Sequence, residues 1–320
     1  MKSNWKKFRI PVLVVLLLAL IGLPLYVDSG SYTVILATNI LMYVVLALSW
    51  AIFSGPTGYI SLASAAFFGV GVYASALFSE SLPFPLVIIM GGLGSFVLAY
   101  LVGSATLRLK GMYFTMFTFG LVELLRNLIH WYEVNITGTV GRIILSLDTA
   151  VIFYYMVAVF LLVLLVSYLL KRSRYGLALG SIGESEEAAA HTGVNVNQVK
   201  AVTFGLSAFF MGVTGSIMCM RWSYIDPTTA FNMNYSFMPV LMAIFGGMGH
   251  LWAPFVGATV FSLLDELLTT KFPYYYMLIF GLTMIVVIRF MPYGIEGFIE
   301  KWRKKRKAAA DEVAFDVGKP

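Results

Sequence analysis

The chain has 320 residues; 59% are hydrophobic and 12% charged, the mean hydropathy is +0.85 and the net charge is +6. A soluble domain carries about 25% charged residues, so a water-facing shell is excluded and a surface facing lipid is implied. The single cysteine, Cys219, rules out an intrachain disulfide and a cysteine-based metal cluster, and His130, His191 and His250 show no metal-ligand spacing.

A bilayer-crossing helix needs about 20 mainly apolar residues. In chain order such runs fall at 10–27, 33–53, 59–78, 85–107, 111–130, 149–170, 198–220, 235–249, 252–269 and 273–291. The first follows a basic start and has no A-x-A-like cleavage site after it, so it reads as an uncleaved span. The runs 59–78 and 235–249 are short or rich in Gly, Ala and Ser, which allows half-helices. The fold class is therefore an all-α polytopic bundle: ten crossings, or eight with two re-entrant segments. Residues 1–300 form the membrane domain and 301–320 a basic tail suited to the anionic inner leaflet.

Basic residues set the orientation. Lys2, Lys6, Lys7 and Arg9 precede the first run. Arg108 and Lys110 follow the fourth, and Lys171, Arg172 and Arg174 the sixth. Lys200 closes that same loop, and Lys301, Arg303, Lys304, Lys305, Arg306 and Lys307 follow the last run. All fall on one side if every run crosses; Arg142, Arg221 and Lys271 fall on the other. Both termini are then cytoplasmic, in a cell inner membrane. The blocks 33–130 and 198–291 hold four runs each and start on opposite sides, the parity of an inverted repeat. Their interrupted runs would lie at equivalent positions, the usual pointer to a substrate path. Asn39, Ser61, Ser64, Gly69, Gly71, Gly246 and Gly247 are the candidates to line one; plain helix packing accounts for the small residues equally well.

Four charges lie inside apolar runs, where they must face protein or water. Glu123 and Arg126 are spaced i, i+3 and can pair on one face. Asp265 and Glu266 are adjacent, so they should point to different faces, with at most one reaching a path.

The loop 171–197 carries the most information. Ser185 is a good N-cap, Glu186 and Glu187 suit a helix N-terminus, and Gly193 is a good stop. A helix of about two turns is predicted, too short to be stable undocked. Glu187-Ala188-Ala189, three residues, then Gly193 resembles the coupling motif of ABC importer permeases, where a rigid helix sits in a groove of an ATPase. Arg174, Tyr175, Gly176 and Glu184 belong to the same candidate coupling surface.

Four stretches extend that likeness. They are Gly55-Pro-Thr-Gly58-Tyr-Ile-Ser61 with Ala65 to Tyr73; Leu107 to Phe114, ending at Glu123-Leu-Leu-Arg126; Arg174-Tyr-Gly176 to Gly193-Val-Asn195; and Tyr224-Ile-Asp-Pro227 with Gly246-Gly-Met-Gly249 and Pro254 to Ala258. In order and spacing they resemble the branched-chain amino acid ABC transporter permease family, in its LivM-type subunit. The chain departs from that family near Tyr59, where a glutamine is usual, and at Ala63-Ser64, where a Gly-His or Gly-Gln pair is usual. It departs again at Leu177, Gly180 and Gly183, where basic residues are common, which implies an adapted ATPase groove. The resemblance implies a heterodimer with a second permease, two cytoplasmic ATPase subunits carrying ATP and Mg, and an extracytoplasmic substrate-binding protein. It implies leucine, isoleucine, valine or a related hydrophobic amino acid as cargo. No phosphate-binding G-x-x-x-x-G-K-[ST] loop occurs, the one Gly-Lys pair being Gly318-Lys319, so no ATPase site is expected here. The alternatives are an ABC permease for urea, amides or sugars, or an ATP-independent secondary transporter.

Overall fold

The structure, a computed structural model, describes residues 30–107, 109, 111–248 and 252–275, with isolated positions on either side. The run expected at 10–27, most of that at 273–291, and the tail 301–320 lie outside the described residues. The helices are α1 (Tyr32–Thr57), α2 (Ser64–Phe78), α3 (Phe84–Thr106), α4 (Met112–Tyr132), α5 (Thr149–Arg172), α6 (Arg174–Glu184), α7 (Glu186–His191), α8 (Val196–Cys219), α9 (Pro227–Ala230), α10 (Asn234–Gly246) and α11 (Ala253–Lys271). One short antiparallel ladder joins β1 (Arg142–Ile143) to β2 (Tyr224–Ile225).

Local chemistry sets the boundaries. Ser31 caps α1, accepting from the Thr33 amide, and Gly58 in the left-handed region ends it. Asp148 caps α5, and Lys171 and Arg172 complement the negative end of its dipole. Asn195 caps α8 through the Gln198 amide at 3.2 Å. By length and composition α1, α3, α5 and α8 can cross a membrane. The 15 residues of α2 and 13 of α10 cannot, since about 1.5 Å per residue leaves both short of a ~30 Å hydrocarbon core. These are the two places where the sequence allowed half-helices.

The packing is crossed between the halves. In α8, 83% of the apolar window is buried, against 33% in α5, so α8 is central and α5 peripheral. Helix α8 packs on α2 and α3, while α1 packs on α10 and α11. The leading helix of each hydrophobic block therefore packs against two later helices of the other block. Lipid supplies no hydrophobic drive between helices, so small residues and polar contacts hold the seam. A β-carbon on Gly71 of α2 would collide with the Gly212 carbonyl of α8. Ser216 Oγ donates to the Gly71 carbonyl at 2.9 Å, Ser75 Oγ to the Ser216 carbonyl at 3.0 Å and Ser95 Oγ to the Phe67 carbonyl at 2.9 Å.

Candidate functional site

Between α5 and α8 the chain forms two helices where the sequence predicted one. Helix α7 is the predicted one: Ser185 Oγ accepts from the Ala188 amide at 3.3 Å, and Gly193, at φ 86°, follows its end. Helix α6 was hidden because Gly176, Gly180 and Gly183 lower helix propensity. Ser173 caps it, and Leu179 and Ile182 are buried as it packs on α1. The glycines permit that contact, since a β-carbon on Gly183 would strike the Pro56 carbonyl at the end of α1. Gly183 thus has a role within this chain, whatever groove a partner offers.

A buried charge anchors α7. Lys200, in the first turns of α8, is 1% exposed. Its Nζ donates to Glu186 Oε1 at 2.9 Å and to the Leu107 carbonyl at 2.8 Å. It also lies 3.3 Å from the Tyr59 hydroxyl and 4.7 Å from the centre of that ring. The Tyr59 hydroxyl donates to the same Glu186 oxygen at 2.5 Å. Leu107 is the C-cap of α3, so the ammonium satisfies a carbonyl that the helix end leaves unpaired. Burial, and then the Glu186 carboxylate, raise the Tyr59 phenol well above its ordinary pKa, so it stays a donor. The first residue of α7 is thereby tied to the ends of α1, α3 and α8.

The candidate coupling residues separate around this anchor. Ala189 is buried and packs inward, while Arg174, Tyr175, Glu184, Glu187 and Ala188 are exposed. Gly176 sits tightly on the Leu170 carbonyl. Glu184 and Glu187 line a groove of about 580 Å³ with Tyr59, Gly111, Met112 and Thr115. Sequence reasoning took Glu186 only as a charge favourable to a helix N-terminus and Lys200 only as an orientation signal. The available clue was a lone lysine in the opening turns of a helix whose next residues are apolar.

The path candidates scatter. Ser61 is buried with its carbonyl accepting from Trp50 Nε1 at 2.8 Å, and the Ser64 hydroxyl is buried without a partner. Gly69 meets the Phe231 ring, Gly71 the Gly212 backbone and Gly246 the Ala253 backbone, while Gly247 takes φ 105° after α10. The glycines serve contact and turning. Glu123 and Arg126 pair as spaced, each about one third exposed on α4.

Asn39, Asp265 and Glu266 converge at the other end of the bundle, on a cavity of about 300 Å³ that Arg221 also lines. Adjacent residues on a helix diverge by about 100°, so Asp265 and Glu266 leave α11 in different directions. Both line this cavity, because it is bounded by α1, α10, α11 and the chain after α8 rather than by one helix face.

A bundle with four helices long and apolar enough to cross a membrane, with two shorter apolar helices packed among them, fits a polytopic membrane protein. The family of branched-chain amino acid transport system permease components matches residues 32–288, and the chain belongs to it. It is 28% identical over 318 residues to the high-affinity branched-chain amino acid transport system permease protein LivM of Salmonella typhimurium, covering 88% of this chain and 74% of that protein. It is 27% identical to LivM of Escherichia coli K12 over 93% of this chain and 77% of that one. A shorter likeness, 29% identity over 50% of the chain and 43% of the relative, links it to the fructose import permease protein FrcC of Rhizobium meliloti. No solved structure matches.

Proposed function

We propose that this chain is the membrane-spanning subunit of an ABC importer for branched-chain or related hydrophobic amino acids, driven by ATPase subunits on separate polypeptides that carry ATP and Mg. The observation that carries the reading is the Lys200 junction. A six-residue helix is too short to be stable unless docked, and Glu186 ties α7 to Lys200 of α8 and to Tyr59 just after α1, while Lys200 also holds the end of α3. Its exposed Glu187 and Ala188 are left to meet the ATPase. Closure of the ATPases on ATP then moves α6 and α7 as one body, and the helix ends bound to Lys200 move with them in alternating access. Cargo is delivered by an extracytoplasmic binding protein.

A second permease fits against α4. Lipid does not accept the Glu123–Arg126 pair, about one third exposed, while Met112, Tyr113 and Met116 leave an apolar surface at the start of the same helix. A partner subunit with an aqueous seam suits both. The sugar reading draws on the likeness to a fructose import permease, which covers half of the chain.

The test is uptake into proteoliposomes holding the chain with the subunits that co-purify with it. ATP-dependent leucine uptake that excess ribose and fructose leave unchanged is expected. Uptake of either sugar instead, or leucine uptake driven by an ion gradient without any ATPase, overturns the proposal.

A further inference from the structure

A further cavity, of about 310 Å³, lies at the α6 end of the bundle, between α1, α5, α6 and the start of α11. No residue of the Lys200 junction lines it. Leu48, Ala51, Ile52 and Gly55 line it from α1. Their spacing, i, i+3, i+4, i+7, is one helix face, and it runs about 10 Å along the axis at 1.5 Å per residue. The cavity is therefore a groove along α1. Leu170 and Leu179 close it from α5 and α6, and Lys171 stands on its rim. Lys171 also ends the apolar run of α5, which marks the level of the membrane boundary. Only 33% of the apolar window of α5 is buried within the bundle, so lipid reaches this edge.

The charge at this corner has one sign. Arg172 follows Lys171, its guanidinium 4.7 Å from the centre of the Tyr168 ring, and the exposed Arg174 opens α6. The stretches that build most of the walls, 32–57, 149–183 and 253–264, hold no aspartate or glutamate. One turn before Lys171, on the same face of α5, Ser167 is 7% exposed and its hydroxyl has no hydrogen-bond partner. From the rim inward the order is cation, hydroxyl, hydrocarbon. A phospholipid carries the matching order of phosphate, glycerol ester and acyl chain. A soluble anion would leave the apolar groove unfilled, and a plain hydrocarbon would leave the cations unanswered.

We infer that this groove holds an anionic phospholipid from the leaflet on the α6 side. Its phosphate lies at Lys171 and Arg172, its glycerol ester region at Ser167, and part of one acyl chain along Leu48, Ala51 and Ile52. Basic pockets between helices at a membrane boundary bind lipid headgroups in this way. Leu179 and Gly180 of α6 line the same groove, so the bound lipid braces α6 against α1 and α5. The inference goes beyond the import reading: it needs the bundle to sit in a membrane and is independent of the cargo.

The test is native mass spectrometry of the full-length chain with its co-purifying subunits. The complex is delipidated in detergent and titrated with dioleoyl phosphatidylglycerol, dioleoyl phosphatidylcholine or glycerol 3-phosphate. Phosphatidylglycerol should bind at least about fivefold more tightly than phosphatidylcholine, the ratio that one basic side chain near the membrane surface supplies. Glycerol 3-phosphate, a headgroup without chains, should not be retained. Lys171→Gln combined with Arg172→Gln should bring phosphatidylglycerol down to the level of phosphatidylcholine. Ala51→Leu, which fills the groove and changes no charge, should remove one bound lipid of either kind. The titrations on the unaltered protein need no variant to fold. Equal retention of the two lipids overturns the proposal, and so does retention of glycerol 3-phosphate as tight as that of phosphatidylglycerol. Phosphatidylglycerol binding that Ala51→Leu leaves unchanged reports general attraction to a basic surface and overturns it too. None of these readouts involves uptake, so the importer reading stands or falls separately.

Discussion

Lys200 shows how one side chain sets a local balance of energies. Burying an ammonium is costly, and its carboxylate, carbonyl and phenol partners offset that cost only together. Lys200→Met takes the buried ammonium from the Leu107 carbonyl and from Glu186, which keeps the Tyr59 hydroxyl as a donor. Removing one member of a buried pair costs about 3 kcal/mol or more, reduced here because Glu186 keeps partial access to water. Thermal unfolding in detergent should show a clear fall in melting temperature. Adding Glu186→Gln to Lys200→Met should cost less than the sum of the two single changes, a coupling that a double-mutant cycle measures. Glu187 behaves differently because it is exposed. Glu187→Gln should leave the melting temperature within about 0.5 kcal/mol equivalent of the parent and still reduce ATP-driven uptake. Normal uptake in that variant would count against α7 as the coupling element.

Glycine decides how closely the helices approach one another. Gly183→Val should push α6 from α1, because the obstructing atom is a backbone carbonyl that cannot rotate away. The expected result is a folded protein whose α6 gains protease sensitivity and whose uptake is uncoupled from ATP. Gly71→Ala acts inside the bundle against the Gly212 carbonyl and should cost about 1–3 kcal/mol, as overpacking does; chemical denaturation measures it. Much of this layer was legible in the sequence. The apolar runs gave α1, α3, α5 and α8 with few residues of error, and their weak members fell where α2 and α10 are short. Ser185 and Gly193 gave α7, because capping is a local rule. Helix α6 was not legible, since its stability comes from docking on α1 rather than from its own residues. The Lys200 junction joins residues 141 apart, and the cavity joins Asn39 to Arg221 across 182. No pattern in one sequence reports such meetings, and charge counting used Lys200 and Arg221 only to assign sides.

Orientation belongs to the assembled molecule, and labelling tests it. The native thiol, Cys219, is buried and should stay silent. In intact cells, a membrane-impermeant maleimide should label Tyr274→Cys, 96% exposed at the end of α11, and should spare Leu177→Cys, 72% exposed on α6. Inverted vesicles should reverse the pattern. The opposite outcome would place the α6–α7 segment outside and remove any role for a cytosolic motor. The crossed packing of α1 and α8 also bears on the birth of the protein. Ser75 and Ser216, which meet at the seam, are separated by 141 residues. At about 5–20 residues per second of synthesis, α2 and α3 wait on the order of ten seconds in the bilayer before their partner helix leaves the ribosome. Throughout that interval the glycine-lined flanks of the early helices have only lipid or an insertion chaperone for company, so a pause or premature stop between α5 and α8 should yield fragments destined for membrane proteolysis.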